Sequence, residues 1–334
     1  MSHTILVTGG AGYIGSHACK ALAQAGFRPV AYDSLVNGHR EAVKWGPLIE
    51  ADLADTERLA DTLRRYDVAA VVHFAAFAYV GESVAKPDLY FRNNVVNSLG
   101  LLEAMRTQSL KRIVFSSTCA TYGHPERMPI AESTHQRPIN PYGETKLMVE
   151  RMLHWYGAAH GFTYASLRYF NAAGADPAGE IGEDHRPETH LIPLILETAM
   201  GRRPQIDIYG TDYPTPDGTA IRDYIHVQDL VEAHVVALQL LLNGGLSQIL
   251  NLGTGAGHSV REVIAAAERI TGRRIPRRET ARRPGDPPVL VADARRAREV
   301  LGFVPRLSDL DTIIKTAWAW HSRGPNERQT AAGA

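Results

Sequence analysis

The chain has 334 residues, in which 36 lysines and arginines balance 36 aspartates and glutamates, a length that accommodates one large α/β unit and a smaller lobe. The balance and the lack of a basic stripe argue against a nucleic-acid partner, and no run of about 20 uninterrupted apolar residues offers a membrane span. Two cysteines, Cys19 and Cys119, have neither metal-ligand spacing nor the numbers for a disulfide framework, which fits a reducing cytoplasm, and no signal peptide is expected ahead of Thr4.

Taken in chain order, short β-branched runs alternate with longer helical patterns. Strands are predicted at Thr4 to Thr8, Pro29 to Asp33, Leu48 to Asp52, Ala69 to Phe74, Arg112 to Ser116 and Tyr164 to Tyr169. Nearly continuous apolar strands are what a parallel sheet covered on both faces requires. The expected fold is therefore α/β, a Rossmann-type doubly wound parallel sheet. From about Ala172 the turn-rich stretches D-P-A-G-E-I-G-E-D, Y-G-T-D-Y-P-T-P-D-G-T and R-R-P-G-D-P-P separate shorter helices, and a smaller C-terminal α/β lobe is expected. The expected division is a nucleotide-binding domain over 1–171 and a mainly substrate-binding domain over 172–334, with some segments returning to the first. The tail from about Gly324 reads as frayed.

Gly9, Gly12 and Gly15 form G-x-x-G-x-x-G directly after the first strand and at the start of a helix. Missing Cβ atoms let backbone amides approach a pyrophosphate, whose charge the helix N-terminus also stabilises. The second strand ends in Asp33, at about the ~20-residue spacing from which a carboxylate accepts hydrogen bonds from an adenosine ribose. A carboxylate there repels a 2′-phosphate, so NAD is favoured over NADP. Asp52 and Leu53 after the third strand are expected near the adenine, and Phe74, Ala75 and Ala76 after the fourth are small enough, past the phenyl ring, for a cofactor backbone to pass.

Tyr142 and Lys146, in N-P-Y-G-E-T-K, share one helix face. A phenol titrates near pH ~10, and a cation within a few ångströms favours its ionised form, which brings a proton acceptor towards the neutral range. Alcohol oxidation needs such an acceptor. Taken alone Y-x-x-x-K is a weak motif; here it follows a glycine motif and the strand-like I-V-F-S-S-T. Of the 14 histidines no pair has convincing metal spacing, and no metal is expected.

T-G-G-A-G-Y-I-G-S-H, H-F-A-A, N-N-V, F-S-S-T, Y-G-E-T-K, R-Y-F-N-A-A-G-A and R-D-Y-I-H-V-Q-D-L together resemble the extended short-chain dehydrogenase/reductases, most closely their UDP-sugar 4-epimerase branch. The resemblance runs from about Thr4 to Trp320, and its second half makes it specific. It implies a reversible inversion at C4 of a UDP-sugar, UDP-glucose and UDP-galactose first, through a transient 4-ketose. Tyr142 would take the 4-hydroxyl proton while C4 passes hydride to tightly bound NAD, and Lys146 would also hydrogen-bond the nicotinamide ribose. Thr118, where serine is usual, would hold the sugar 4-oxygen. The resemblance adds Tyr13, Ile14, Asn37, Asn93, Ser116 and Tyr169 as cofactor contacts. On the substrate side it implies Asn171, His190, Leu191, Arg222, Tyr224, Arg283, Asp286 and Leu290, with the two arginines suited to a pyrophosphate.

Several positions depart from the family pattern. Ala78 replaces a cofactor-touching lysine, His190 an asparagine, and Leu290 stands at the gate against the sugar C2 substituent, where tyrosine restricts and a small residue admits N-acetylated sugars. UDP-N-acetylglucosamine and pentose substrates such as UDP-xylose therefore stay open. Cys119 and Ala120 follow Thr118 where the family's dehydratases place an Asp-Glu pair, which argues against elimination. A net dehydrogenase or reductase and a non-catalytic nucleotide sensor are the remaining alternatives. A homodimer is the family expectation, built on helices beginning near Asn94 and Pro141, whose apolar Leu101, Leu102, Met105, Leu147, Met148, Met152 and Leu153 would equally suit a core.

Overall fold

The computed structural model describes residues 2–283 and 285–323; the tail from Gly324, expected to fray, lies outside them. The strands in chain order are β1 Thr4–Thr8, β2 Arg28–Asp33, β3 Leu48–Glu50, β4 Val68–His73, β5 Arg112–Thr118, β6 Thr163–Tyr169, β7 Asn171–Ala173, β8 Ile206–Tyr209, β9 Ile221–His226, β10 Gln248–Leu252, β11 Gly257–Ser259, β12 Arg277–Thr280 and β13 Val289–Leu290. The chain forms two compact units, and neither is a single stretch of sequence.

The first unit takes the chain up to His124, Thr134–Arg168 and Val231–Leu250. Its seven-stranded sheet has the order β10-β6-β5-β4-β1-β2-β3. β1 pairs in parallel with β2 and β4, β2 with β3, and β4 with β5. The strand order reverses between β1 and β4, which is where doubly wound sheets bind their ligands, beyond the carboxyl ends of the strands. Leu6, Val30, Val71, Ile113 and Phe115 of the sheet pack with Leu59, Leu63, Leu101, Leu102, Met105 and Leu153 of the helices in one buried cluster. The six strands expected in the first half are all present, and β10 joins them from far along the chain.

Helix Pro141–His160 is set by its own ends. The Asn140 side chain accepts from Gly143 N at 2.8 Å, Pro141 needs no amide partner at N1, and Gly161 closes the helix at φ +69°. A π-helical turn, Phe91–Val96, precedes helix Asn97–Thr107.

The second unit takes Pro125–Ser133, Tyr169–Leu230 and the chain from Asn251. Its central strand β9 is antiparallel to β11 and parallel to β13 and β7, while β8 and β12 form a parallel pair. Helices Leu191–Ala199, Val260–Thr271 and Leu310–His321 pack through Ile192, Ile195, Leu196, Ile264, Ile313 and Ile314. No helix among the described residues is long and apolar enough to cross a membrane.

Candidate active site

The register of the sheet sets Thr8 of β1 beside Tyr32 of β2 and His73 of β4. The loops that follow therefore leave one edge together. Gly9 sits at φ +72°, and a Cβ on it would lie 2.7 Å from Ala75 N; a Cβ on Gly15 would lie 2.0 Å from Gly9 O. Gly12 N donates to Gly9 O at 3.1 Å. The turn is bare backbone leading into helix Tyr13–Gln24, whose first residues are Tyr13 and Ile14. Such a cradle fits a pyrophosphate.

Asp33 closes the turn from the other side. Its Oδ2 accepts from Ala11 N at 2.9 Å and its Oδ1 from Leu35 N at 2.8 Å. Burial pushes its carboxyl pKa up, and the two amides pull against that. Each oxygen keeps capacity for a further donor such as a ribose hydroxyl. Asn37 is exposed on the same loop. Asp52 Oδ1 accepts from Ala54 N and Asn97 Nδ2 at 2.8 and 3.2 Å, and Leu53 is buried. After β4, the amides of Phe74 and Ala75 both donate to Thr8 O, the Phe74 ring stacks on His234 at 4.9 Å, and Ala76 is half-buried. In the π-helical turn Asn93 Nδ2 donates to Asn94 Oδ1. Sequence reasoning passed over Asn94, yet its side chain is buried and holds Phe77 N, Phe77 O and Thr145 Oγ1.

Tyr142 and Lys146 stand one turn apart on helix Pro141–His160 and are only 8 % and 4 % exposed. Lys146 Nζ donates to Ser116 O at 2.8 Å and lies 4.9 Å from the centre of the Phe115 ring. Burial drives its pKa down to about 7, with Glu150 opposing the fall. Thr118 ends β5, and its Oγ1 accepts from Ala120 N at 3.1 Å. Beneath the pair lies a network that no motif announced. Glu150, one turn beyond Lys146, accepts from Ser117 Oγ at 2.5 Å, Gln136 Nε2 at 3.1 Å, and Arg168 Nε and Nη2 at 2.9 and 2.6 Å. Arg168 also donates to Tyr122 Oη at 2.9 Å. The one available signal was a glutamate at i+4 on the buried face of a helix.

In the second unit Arg222 and Tyr224, two residues apart on β9, share a sheet face. Arg222 Nη2 donates to Asp286 Oδ1 at 2.5 Å and Nη1 to Ile221 O at 2.7 Å. Leu290 of β13 is the register partner of Arg222, and Asn171 of β7 that of Tyr224. Asn171 Nδ2 donates to Asp223 O at 3.1 Å. Burial pushes the Tyr224 phenol up to about 12. Tyr169 ends β6, half-buried. The Arg283 guanidinium lies 4.0 Å from the centre of the Tyr209 ring. Thus Asn171, Arg222, Tyr224, Asp286 and Leu290 come together around β9. Asp223, on the opposite face, was not foreseen; it accepts from Thr254 N and Oγ1, Gly255 N and Ala292 N and so anchors the strand.

His190 and Leu191 stand elsewhere, at the start of helix Leu191–Ala199. His190 Nδ1 lies 2.9 Å from both Glu183 Oε1 and Glu188 Oε1. Burial works against its charge, but the two carboxylates outweigh it and push its pKa up to about 10.

Known proteins are similar to this chain in sequence and fold. The family model described as "NAD dependent epimerase/dehydratase family" matches residues 5–253. A curated UDP-glucose 4-epimerase of Rhizobium leguminosarum bv. trifolii is 52 % identical over 320 residues, covering 96 % of this chain and 98 % of the relative. The crystal structure of UDP-glucose 4-epimerase from Brucella ovis in complex with NAD is 54 % identical, covers 95 % of this chain and 98 % of its own, and superposes with a TM-score of 0.93. A Stenotrophomonas maltophila UDP-glucose 4-epimerase, solved with NAD and formylated UDP-arabinopyranose, is 43 % identical with a TM-score of 0.93, covering 96 % and 98 %. With half its residues shared across nearly full-length 4-epimerases, and a bare-backbone glycine turn, the buried Asp33 carboxylate and a buried Tyr-Lys pair in place, the chain belongs to the NAD dependent epimerase/dehydratase family, as an isomerase of its UDP-sugar 4-epimerase branch.

Proposed function

We infer that the chain interconverts UDP-glucose and UDP-galactose by inverting C4 through a transient 4-keto sugar. The buried Tyr142 and Lys146, on a sheet whose first turn is a dinucleotide cradle, carry this reading. Bound NAD supplies the two-electron oxidation of C4 and its reversal, so no net redox occurs. Tyr142 accepts the 4-hydroxyl proton as general base and returns it after the sugar has presented its other face. Lys146 stabilises the phenolate and reaches the nicotinamide ribose, and Thr118 holds the 4-oxygen. Asp33 takes the adenosine ribose; Gly9, Gly12, Tyr13, Ile14 and Gly15 take the pyrophosphate side of the dinucleotide. Asn37, Asp52, Leu53, Phe74, Ala75, Ala76, Asn93, Ser116 and Tyr169 complete its surroundings. Arg222 and Arg283 take the two phosphate charges of the UDP moiety, with Asp286 orienting Arg222. Asn171, His190, Leu191 and Tyr224 complete the substrate contacts, and Leu290 faces the C2 substituent. The first unit is thus the NAD-binding domain and the second the UDP-sugar domain.

A second reading is a pentose or N-acetylated UDP-sugar. Leu290 is shorter than a tyrosine gate, and the Stenotrophomonas relative was solved with a UDP-arabinopyranose derivative. We assign a cytoplasmic location, in keeping with two cysteines that form no disulfide. A homodimer is supported by exposed Val96 of the π-helical turn, Leu99 of helix Asn97–Thr107 and Trp155 of helix Pro141–His160. Leu101, Leu102, Met105, Leu147 and Leu153 are instead buried within the chain, and Met152 packs against the core. Light scattering at the mass of one 36.6 kDa chain would refute the dimer.

The test of the reaction is incubation with UDP-galactose and no added cofactor, followed by anomeric-proton NMR. The expected result is a glucose-rich mixture of ~3:1 to 4:1, from a difference of about 0.8 kcal/mol between an axial and an equatorial hydroxyl. No conversion of the hexose, with conversion of the pentose or N-acetyl sugar, would establish the second reading. Failure on all of them with NAD added would overturn both.

A further inference from the structure

The segment Glu183 to His190 sets four side chains against one another. One ligand atom each of Glu183, His185, Glu188 and His190 lies within 4.8 Å of the other three. His185 Nδ1 is 3.0 Å from Glu183 Oε1 and 3.8 Å from Glu188 Oε2, and His190 Nδ1 is 2.9 Å from Glu183 Oε1 and 2.9 Å from Glu188 Oε1. His185 Nδ1 pairs with Glu183 Oε1 and His190 Nδ1 with Glu188 Oε1, and His190 Nδ1 is equally close to Glu183 Oε1, so both rings approach one oxygen and the four groups converge on a common point as well as pairing. A tetrahedral ion bound at ~2.0–2.2 Å by nitrogen and oxygen holds its ligands about 3.3 Å from one another, inside the spread of the contacts here.

The Glu183 and Glu188 side chains are only 5 % and 8 % exposed, and two carboxylates brought together out of water need positive charge between them, which two imidazoliums supply in the metal-free chain and one divalent ion would supply with both imidazoles neutral. The Glu183 backbone is held from outside, with Trp320 Nε1 donating to Glu183 O at 3.0 Å, and within the segment Thr189 N and His190 N donate to Glu188 Oε1 at 2.7 and 2.8 Å. Such secondary support is what ligating carboxylates carry in metal sites.

We propose that Glu183, His185, Glu188 and His190 bind one divalent transition-metal ion of the zinc class, two imidazoles and two carboxylates being neutral with it, and that the ion fastens this segment at the start of helix Leu191–Ala199. The spacing E-x-H-x-x-E-x-H, with its histidines five residues apart, is why the sequence alone argued for no metal. The proposal gives His190 a role beside the substrate contact assigned above, and because it is measured by metal binding its failure is distinguishable from failure of the epimerase reading.

The untagged full-length chain, stripped with a chelator and dialysed, is titrated with Zn²⁺ and, separately, with Co²⁺, whose visible bands report the coordination geometry. The expected result is binding of one equivalent, with Co²⁺ bands and a metal-dependent rise in thermal midpoint. Glu183→Gln combined with His185→Gln is expected to abolish all three, and its retained NAD content shows whether it folds. If that variant does not fold, His185→Gln alone carries the comparison, with affinity for Zn²⁺ expected to fall at least about tenfold. No binding to the wild-type chain, which leaves a plain imidazolium–carboxylate cluster, or equal binding by wild type and a folded variant, overturns the proposal.

Discussion

Lys146 is a cation held in a place that disfavours cations. Burial brings its pKa to about 7 from an ordinary value of 10.5. Between those two pH values the unfolded lysine keeps a proton that the folded one has shed. Stability therefore rises with pH across the window and is lost as pH falls towards 7. Lys146→Met should remove this rise; thermal midpoints of the two proteins that climb in parallel from pH 7 to 10 would sink the idea. Tyr142→Phe removes the proposed proton acceptor and little volume, so turnover should fall by at least about a hundredfold with NAD content unchanged. Leu290→Tyr should narrow any activity on N-acetylated UDP-sugars while sparing the hexoses, and an unchanged substrate profile would dismiss the gate. Asp33, Tyr142 and Lys146 were legible in the sequence because each stands at a short, fixed distance from a strand end or from one another. Glu150 and Arg168 were not, since a buried ion pair needs two residues 18 positions apart to meet on different elements, and nothing local marks that.

Helix Pro141–His160 does two things for the site. Its outer turns are closed by Asn140 and Gly161, while its buried face carries Tyr142, Lys146 and Glu150 in succession. Glu150 receives four donors, so its removal leaves the Arg168 guanidinium, 3 % exposed, without its carboxylate. Glu150→Leu should cost about 3–5 kcal/mol of stability, read as a drop in denaturant midpoint, and a loss within experimental error would mean the network is ornamental. Glu150→Gln should also lower the Lys146 pKa further, because it withdraws the charge that opposes its fall. Strands β1 to β6 could be read because each is a short run rich in β-branched, aliphatic or aromatic residues set between longer helical patterns. β10 could not: Gln248–Leu252 is five residues between a Gly-Gly turn and another glycine, and nothing in it says which sheet it joins.

At the scale of the molecule, sequence order and spatial order diverge. The alternation of strands and helices was enough for a doubly wound sheet, because parallel strands require crossovers and most crossovers here are helices, the β2 to β3 connection with its short 3-10 turn Arg40–Ala42 being the exception. The division into units was less legible. Pro125–Ser133 leaves the first unit and Val231–Leu250 returns to it, and composition changes at neither place. One further passage between the units occurs at Arg168/Tyr169.

That weaving bears on how the protein could be dismembered. The chain passes from one unit to the other at His124/Pro125, Ser133/Thr134, Arg168/Tyr169, Leu230/Val231 and Leu250/Asn251, so no single cut yields both halves intact. A fragment of residues 1–171 keeps the glycine turn, Asp33, Thr118, Tyr142 and Lys146, yet lacks β10 and leaves the β6 edge of the sheet unpaired. An open apolar edge invites pairing with other chains, so this fragment should aggregate where the whole chain does not, as sedimentation would reveal; a monodisperse, NAD-retaining fragment would contradict it. Separation of the two units by cutting the gene at one point is thus a closed route for this architecture.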